Sequence, residues 1–347
     1  MVEQRQSAGA GRAAPETGGP EAFTRFLRLI ARGGSLSRPL ERDEAAAAMR
    51  MVLHGEAEPL QIGAFLAVMR YRRETPAEIA GFVEAARGLR QVPAAAHADL
   101  DWPSYTETHG QLPYFLLAAL LLAEAGTRVL IHGIEGNGPA TTAATLGALG
   151  ISLSATADSA TRALDRDRLA YLPLGAACPP LRRLFGLRNM LGFRTSANTV
   201  ARSFNPFNAP CQIQGVFRST HIAKLQAAAL LLGQPTAAIF KGGAGEAQRD
   251  PQKECRIAFV SGGAAAEEHW PASHEGTPYP WRNEPLEPAR VAALWRGEWR
   301  AAAPEAAVIG TAAIALRLTG RAPHASAAER AARELWERRP KTKYGRA

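Results

Sequence analysis

The pattern of hydrophobic and polar residues switches along the chain between helical periodicity and short runs that are apolar throughout. Residues 112–151 show this most densely. Within them, residues 114–125 are apolar on every side but too short for a membrane span, which needs about 20 residues, so they predict a helix buried in a large core. Residues 128–132 follow as a β-branched run, which is typical of a strand in a parallel sheet covered by helices on both faces.

The loop after this strand is rich in glycine, at Gly133, Gly136 and Gly138, and Pro139 suits the first turn of a helix that ends before Gly150. A helix that begins at the carboxyl end of a strand is where α/β folds bind anionic ligands. We therefore expect a ligand site near this loop.

The N-terminal part of the chain has a helical pattern with three stop signals, which predicts four helices. Thr75 and Glu78 form a capping-box pattern that starts one of them. Because each helix is apolar on one face, we expect a bundle. We assign residues 21–97 to this helical domain, joined by about residues 179–200. Residues 1–20 lack an apolar core and predict a disordered tail.

The rest of the chain, residues 98–178 and 201–347, alternates between predicted strands and helices, which indicates an α/β domain. The predicted fold class is therefore α/β, with a small N-terminal helical bundle domain and a large α/β domain built on a mainly parallel central sheet. After residue 133 the pattern predicts strands at residues 151–155, 169–174, 212–217, 236–240 and 256–261, a loop at residues 267–284, and final helices at residues 304–318 and 326–338.

The formal net charge of +9 favours an anionic partner. Cys178, Cys211 and Cys255 are far apart and form no Cys-x-x-Cys pair, so the sequence indicates neither a disulfide framework nor a zinc site. The N-terminal segment resembles neither a signal peptide nor a membrane span. We expect a cytoplasmic protein that does not contact a membrane.

Several short motifs complete the pattern. They are Pro59-Leu-Gln-Ile-Gly-Ala-Phe-Leu66, His132-Gly133, Leu191-Gly-Phe-Arg-Thr195, Asn205-Pro206 and Gln212-Ile-Gln-Gly-Val216. Together with the order of elements, they make the sequence resemble glycosyltransferase family 3, which has the fold of anthranilate phosphoribosyltransferase and nucleoside phosphorylase. The resemblance covers about residues 24–338.

This chain departs from the family at the positions that the resemblance assigns to the site. In active relatives a Gly-Thr-Gly-Gly-Asp loop after the first strand holds pyrophosphate with backbone N–H groups. The corresponding residues 104–109 contain no glycine, and Glu107 would repel phosphate. The family's Lys-His-Gly-Asn motif retains only His132 and Gly133, and its magnesium-binding Asp-Glu pair falls near Glu246.

These departures imply a vestigial substrate cleft that contains His132, Gly133, Arg194 and Glu246, without catalytic residues, metal or cofactor. We expect His132, at the end of an apolar strand, to be structural. The alternative is a glycosyl or phosphoribosyl transferase acting on an unrecognised ribosyl donor, because the His132-Gly133 turn and Arg194 are retained.

Within the family the sequence resembles the YbiB-like subgroup, which implies binding of nucleic acid rather than ribosyl transfer. A protein binds a phosphate backbone through cations distributed over its surface and needs no motif that reads bases, so we expect binding of nucleic acid that is single-stranded or non-specific.

Phe204, Phe207 and Trp295 are candidates for stacking on bases, with core packing as the alternative. A solvated surface is the alternative for the cations. The candidate cations are Arg202, Arg218, Lys241, Arg249, Lys253, Arg330, Arg333, Arg338, Arg339, Lys341 and Lys343.

The helical domain also provides an expectation for the oligomeric state of the protein. Relatives dimerise through this domain, and here it offers apolar faces around Phe26, Leu29, Phe65 and Met69. The resemblance therefore implies a symmetric homodimer through the helical domain.

Overall fold

A computed structural model of the 347-residue chain describes residues 20–106 and 110–345. Apart from Pro20, which begins the first helix, the predicted disordered tail lies outside the described residues. The four predicted N-terminal helices are present as α1 Pro20–Ile30, α2 Arg42–His54, α3 Pro59–Arg72 and α4 Pro76–Arg87. The capping box predicted at Thr75 and Glu78 starts α4, and Glu41 with Glu44 forms another at α2.

A seven-stranded sheet with flanking helices follows the bundle. Its elements are β1 Leu100–Ser104, α5 Phe115–Glu124, β2 Val129–Gly133, α6 Thr142–Ala148, α7 Ala157–Asp167, β3 Leu169–Pro173, α8 Leu174–Ala177, α9 Pro179–Gly186, α10 Arg188–Leu191, α11 Ser196–Arg202, β4 Cys211–Val216, α12 Ile222–Leu231, β5 Thr236–Lys241, β6 Cys255–Ser261, β7 Ala264–Trp270, α13 Pro288–Arg296, α14 Ala302–Leu318 and α15 Ala325–Arg338.

The strand order is β3-β2-β1-β4-β5-β6-β7. The first five strands pair in parallel, and β6 and β7 add an antiparallel hairpin at one edge. This confirms the predicted mainly parallel sheet. Two local predictions were wrong. Residues 151–155 form no strand, and β7 lies partly within the predicted loop at residues 267–284.

The sheet is covered on both faces, which explains why β2 is apolar at successive positions. Val129 and Ile131 join an apolar cluster with α5, α13, α14 and α15. Leu130 joins a second cluster that includes the helical bundle together with residues of α9 and α11. The segment assigned to the helical domain at about residues 179–200 forms three short helices, α9, α10 and α11. Among the described residues, the structure contains no helix with the length and apolar character needed to cross a membrane.

Candidate phosphate-binding edge of the sheet

The carboxyl ends of the parallel strands bring the residues of interest to one edge of the sheet. The register pairs Ser104 of β1 with Gly133 of β2, and Val216 of β4 with Lys241 of β5. Gly133 is required by packing, because a Cβ atom there would lie 2.1 Å from the carbonyl oxygen of Ser104. The edge therefore gathers the loops that follow these four strands, as α/β folds do at ligand sites.

The described start of the loop after β1 is held in place by contacts with the rest of the protein. Tyr105 is fully buried, stacks on Phe185 at 5.7 Å between ring centroids, and places its hydroxyl 2.7 Å from Nδ1 of His132. Thr106 donates its backbone N–H to Oε1 of Glu246 at 2.7 Å, and its hydroxyl donates to the carbonyl of Ala244. The predicted repulsion by Glu107 lies outside the described residues, because residues 107–109 are not described.

His132 belongs to a buried chain of polar side chains. Its Nε2 lies 3.3 Å from a carboxylate oxygen of Asp101, and the same oxygen accepts from Nε2 of Gln212 at 2.7 Å. Burial raises the pKa of Tyr105 well above its ordinary value, so its hydroxyl stays protonated and donates to Nδ1 of His132. Gln214 in turn donates to Gln212. Both ring nitrogens of His132 thus have partners inside the protein.

The remaining vestigial residues lie around Arg202. Arg202 donates from Nη1 to the carbonyls of Gly215 and Gly245 at 2.9 and 2.7 Å. Burial lowers the pKa of Arg202, the nearby carboxylate of Glu246 opposes this effect, and Arg194 adds a like charge. Arg202 is therefore a structural cation between two loops.

The edge does not fit a magnesium ion. One carboxylate oxygen of Glu246 accepts the N–H of Thr106, and the next residue, Ala247, has no ligand atom in its side chain. In the part of the chain that the structure describes, no group of three His, Cys, Asp or Glu side chains is placed to hold a metal. Mg²⁺ is usually bound through one or two carboxylates together with substrate phosphates, and the carboxylate of Glu246 already binds the backbone of Thr106.

An exposed aromatic ring and two exposed cations lie where β4 and β5 end at this edge. Phe217 directly follows β4 and has 59% of its surface exposed, and Arg218 next to it is exposed as well. Lys241, at the end of neighbouring β5, is also exposed. Phe217 was not among the predicted site residues, although its place beside Arg218 at a strand end was a usable signal.

Lys224 of α12 and Arg70 of the helical bundle lie near this surface. Burial lowers the pKa of the half-buried His221, and the positive charges of Lys224, Arg70 and Arg218 add to the effect. The end of α3, which carries Arg70, therefore lies near the turn that precedes α12. We call the surface formed by Arg70, Phe217, Arg218, Lys224 and Lys241 the cationic lip.

Several predicted nucleic-acid-binding residues are engaged inside the protein. The prediction for Arg249 is wrong, because its side chain is fully buried and Nη1 is paired with Glu329 at 2.7 Å. Arg339 donates to the carbonyls of Trp295, Trp336 and Leu294 and is likewise structural.

The other predicted cations divide into two sets. Three of them are exposed but form ion pairs: Lys253 pairs with Asp250, Arg338 with Glu334, and Lys343 with Glu124. Exposed members without an ion pair to a described residue are Arg218, Lys241, Arg330, Arg333 and Lys341. These five exposed cations thus fall into two groups. Arg218 and Lys241 belong to the cationic lip, whereas Arg330, Arg333 and Lys341 lie on α15 and the segment after it.

The predicted stacking residues are buried. Phe204, Phe207 and Trp295 are 0%, 5% and 0% exposed, so core packing, the stated alternative, describes them. A candidate stacking ring is instead Phe217.

The predicted apolar faces of the bundle are also core. Phe26, Phe65 and Met69 are 2%, 0% and 0% exposed, because they hold the bundle together. Leu29 is half-buried.

A different apolar patch faces outward on the bundle. Leu60 and Tyr71 of α3 are 85% and 91% exposed, and Met190 of α10 is 84% exposed. Leu60 and Tyr71 are three helical turns apart and share a face. A Cβ atom at Gly63 of α3 would lie 3.9 Å from a methyl carbon of Leu191, which places α10 beside that helix. We call these three residues the α3 patch.

Comparison with known proteins places this geometry in context. The chain matches two family models, described as the helical bundle domain and the a/b domain of the glycosyl transferase family, over residues 24–89 and 115–279. The second match begins after the loop that carries Tyr105 and Thr106.

Curated relatives show the same similarity. The chain is 29% identical to the uncharacterized protein YbiB of Escherichia coli over 69% of the chain and 76% of that protein. It is 31% identical to anthranilate phosphoribosyltransferase of Bacillus caldotenax over 64% of the chain and 90% of that sequence. For the enzyme of Geobacillus kaustophilus, also 31% identical, the alignment spans 64% of each sequence.

Solved structures agree on the fold. Anthranilate phosphoribosyltransferase from Thermus thermophilus superposes with a TM-score of 0.72 at 26% identity, over 86% of this chain and 92% of that one. The enzyme from Saccharomyces cerevisiae in complex with PRPP and Mg gives a TM-score of 0.73 at 13% identity over 91% and 94%. At that identity the likeness concerns the fold alone.

Proposed function

Because the chain belongs to glycosyl transferase family 3, whose fold gathers its loops at one sheet edge, we propose that this edge binds nucleic acid through the cationic lip. The ligand contacts are phosphates on the cations and a base on Phe217. The expected preference is for single strands, without sequence specificity. As in the sequence analysis, we propose a cytoplasmic location.

The observation that carries this proposal is the exposed ring of Phe217, which is followed by exposed Arg218 and lies next to the strand end that pairs with Lys241. An apolar ring that is 59% exposed gains from contact with a base, and stacking is worth about 1–3 kcal/mol per base. Exposed cations near the ring suit a nucleic-acid backbone that passes over this edge, because each phosphate contact releases condensed counterions. The same arrangement tolerates every base, since each base has an aromatic face.

The closed loop after β1 is a second support. A phosphoribosyl donor needs free backbone N–H groups on flexible residues, whereas the N–H of Thr106 is occupied by Glu246 and Tyr105 is packed in the core. The described part of the loop thus offers little to a pyrophosphate group.

The comparisons by themselves favour a second candidate, a glycosyl or phosphoribosyl transferase. The relative from Bacillus caldotenax that is named anthranilate phosphoribosyltransferase is 31% identical over 90% of its length. The His132-Gly133 turn and Arg194 are retained. Calorimetry with phosphoribosyl pyrophosphate and magnesium separates the candidates. Micromolar binding would favour the transferase, and no heat at millimolar donor would favour nucleic acid.

Replacement of Phe217 by alanine tests the stacking contact. We expect the affinity for a fluorescein-labelled oligothymidine to fall about tenfold, because one stacked base is lost, while the affinity for a duplex of equal length changes less than about twofold. Fluorescence anisotropy at fixed salt measures both. Leu153→Ala, at a side chain that is 40% exposed outside the lip, is the matched control. Unchanged single-strand affinity of Phe217→Ala would remove the ring from the site.

We also propose a symmetric homodimer formed through the helical domain, with the α3 patch at its interface. Leu60 and Tyr71 of α3 and Met190 of the adjacent α10 are 84–91% exposed, and a self-complementary contact would remove their apolar surface from water.

Replacement of Leu60 and Tyr71 by glutamate is expected to raise the dimer dissociation constant at least about a hundredfold, since each lost apolar contact is worth about 2 kcal/mol. Light scattering over a dilution series measures the mass. Leu231→Glu, at an exposed leucine of α12, serves as the control and is expected to remain dimeric. A wild-type monomer at micromolar concentration would rule out the assembly.

A further inference from the structure

An open groove lies between α1 and α2 of the helical bundle. It has a volume of about 550 Å³ and is lined by residues of both helices and of the turn that follows α1. Clefts that take a ligand typically have volumes of about 300–1,000 Å³, so the groove is large enough to hold several side chains of a partner. Its lining includes Arg25, Arg28, Arg32, Leu36, Asp43 and Glu44, and we call it the α1 groove.

The α1 side of the groove is basic. Arg25 and Arg28 belong to α1, and Arg32 follows just after its end. All three side chains are exposed, and none of them forms an ion pair with a described residue. The guanidinium of Arg25 lies over the ring of Phe26, 4.6 Å from the ring centroid. Three cations within about 10 Å of helical rise make this side of the groove attractive to several carboxylates at once.

The groove also contains an apolar side chain that is largely exposed. Leu36 is 71% exposed and lines the groove together with the half-buried Leu29 and Ala47. The turn that carries Leu36 is fixed by backbone hydrogen bonds, since the N–H of Leu36 donates to the carbonyl of Gly33 and the N–H of Arg38 donates to the carbonyl of Leu29. Leu36 is therefore held in place before a partner binds, which lowers the entropic cost of burying it.

The α2 side of the groove is acidic, which discriminates between anionic partners. Arg38 donates to both carboxylate oxygens of Glu44 at 2.7 Å, whereas Asp43 is exposed and has no ion pair within the described part of the chain. A nucleic-acid backbone is negative along its whole length and would meet Asp43. The aromatic residue in the lining, Phe26, is 2% exposed and so offers no face to a base. A peptide that combines carboxylates with apolar side chains fits both sides.

We propose that the α1 groove is the docking site for an acidic amphipathic helix of a partner protein. Carboxylates of that helix pair with Arg25, Arg28 and Arg32, and its aliphatic side chains cover Leu36 and Leu29. Helices that bind in grooves place their anchors three and four positions apart, and the three arginines have the same spacing. The groove shares no residue with the cationic lip or the α3 patch, so the inference does not rest on the proposed function.

Three fluorescein-labelled peptides of about 18 residues, long enough to form a helix, test the inference. The first carries leucine and glutamate at helical spacing on one face. The second has serine in place of every leucine, and the third has glutamine in place of every glutamate. Fluorescence anisotropy with the full chain is expected to show saturable binding of the first peptide at least about tenfold tighter than of either other peptide, because docking needs both apolar contact and charge.

Two variants locate the binding in the groove. Arg28→Glu with Arg32→Glu is expected to lower the affinity for the first peptide at least about tenfold, and Leu36→Ser about fivefold. Arg330→Glu with Arg333→Glu is the matched control, because it reverses two exposed arginines of α15 and changes the net charge equally. It is expected to lower the affinity less than about twofold. Circular dichroism establishes that each variant is folded.

The same measurements contain the results that would overturn the proposal. One is the absence of saturable binding of the first peptide, and another is an equal loss in the α15 control. Equal affinity for the serine peptide, or displacement of the first peptide by an equal concentration of oligothymidine, would make the groove a site for polyanions such as nucleic acid. A lower mass of Arg28→Glu with Arg32→Glu in light scattering would mean that a second copy of the chain covers the groove.

Discussion

Replacement of Arg249 by methionine is expected to lower the free energy of unfolding by about 3 kcal/mol, because it breaks a buried ion pair and leaves polar partners unsatisfied. The guanidinium is fully buried, pairs with Glu329 of α15, and donates to the carbonyl of Pro271 after β7. The backbone N–H of Arg249 donates to Thr311 of α14. One residue thus links the loop after β5 to two helices and the edge hairpin.

Equilibrium unfolding in urea measures the change, and Lys253→Met is the matched control. Lys253 is a nearby cation whose side chain is 75% exposed and pairs with Asp250 at 2.9 Å. Exposed pairs contribute about 0–1 kcal/mol, so the control is expected to lose less than about 0.5 kcal/mol. Nucleic-acid affinity of folded Arg249→Met is expected to stay within about twofold of the wild type. Equal destabilisation by both variants would show that burial does not separate the two cations.

The success of the fold prediction is explained by local signals that agree with the tertiary structure. Residues 114–125 are apolar on every side because α5 is packed against the sheet and against α14 and α15, and the pattern reports that burial directly. The capping box at Thr75 and Glu78 is set by neighbours in sequence, so no distant contact is needed to identify it. Such elements are predictable from one chain.

The wrong predictions arise where distant contacts decide the structure. Residues 151–155 have a strand-like composition but form no strand, and their backbone contact with β3 is one hydrogen bond from the N–H of Ser154 to the carbonyl of Tyr171. The polar strand β7 is formed by pairing with β6, which supplies its partners, and its own exposed side chains give little hydrophobic signal. Edge strands of this kind are determined by their neighbour.

The candidate site was harder to predict because charge alone does not reveal burial. Arg249 and Arg218 look alike in sequence, yet the first has an internal partner eighty positions away and the second is exposed after β4. The same limit applies to aromatic residues, since Phe204 is core and Phe217 is exposed. The resemblance located the edge of the sheet, whereas the contact between Glu246 and Thr106, 140 residues apart, needed the structure.

Charge reversal at Arg218 and Lys241 tests the cationic lip, and the double variant to glutamate is expected to lower single-strand affinity at least about a hundredfold. If about six phosphates are neutralised, wild-type affinity should fall by roughly three decades between 50 and 200 mM salt. Loss of two contacts should reduce the slope of log affinity against log salt by about two units. Anisotropy titrations at several salt concentrations give both quantities, and unfolding curves show that the variant is folded.

The control for this experiment is a double variant with the same change in net charge, made at exposed cations outside the cationic lip. Arg330 and Lys341 are exposed on and after α15, whose core residues lie in the apolar cluster of the other sheet face. Each replacement by glutamate changes the charge by two units, so both double variants go from +9 to +5. We expect Arg330→Glu with Lys341→Glu to lower the affinity less than about fivefold, through long-range charge alone. Equal losses in the two variants would mean that nucleic acid responds to overall charge, and the assignment of the lip would fail.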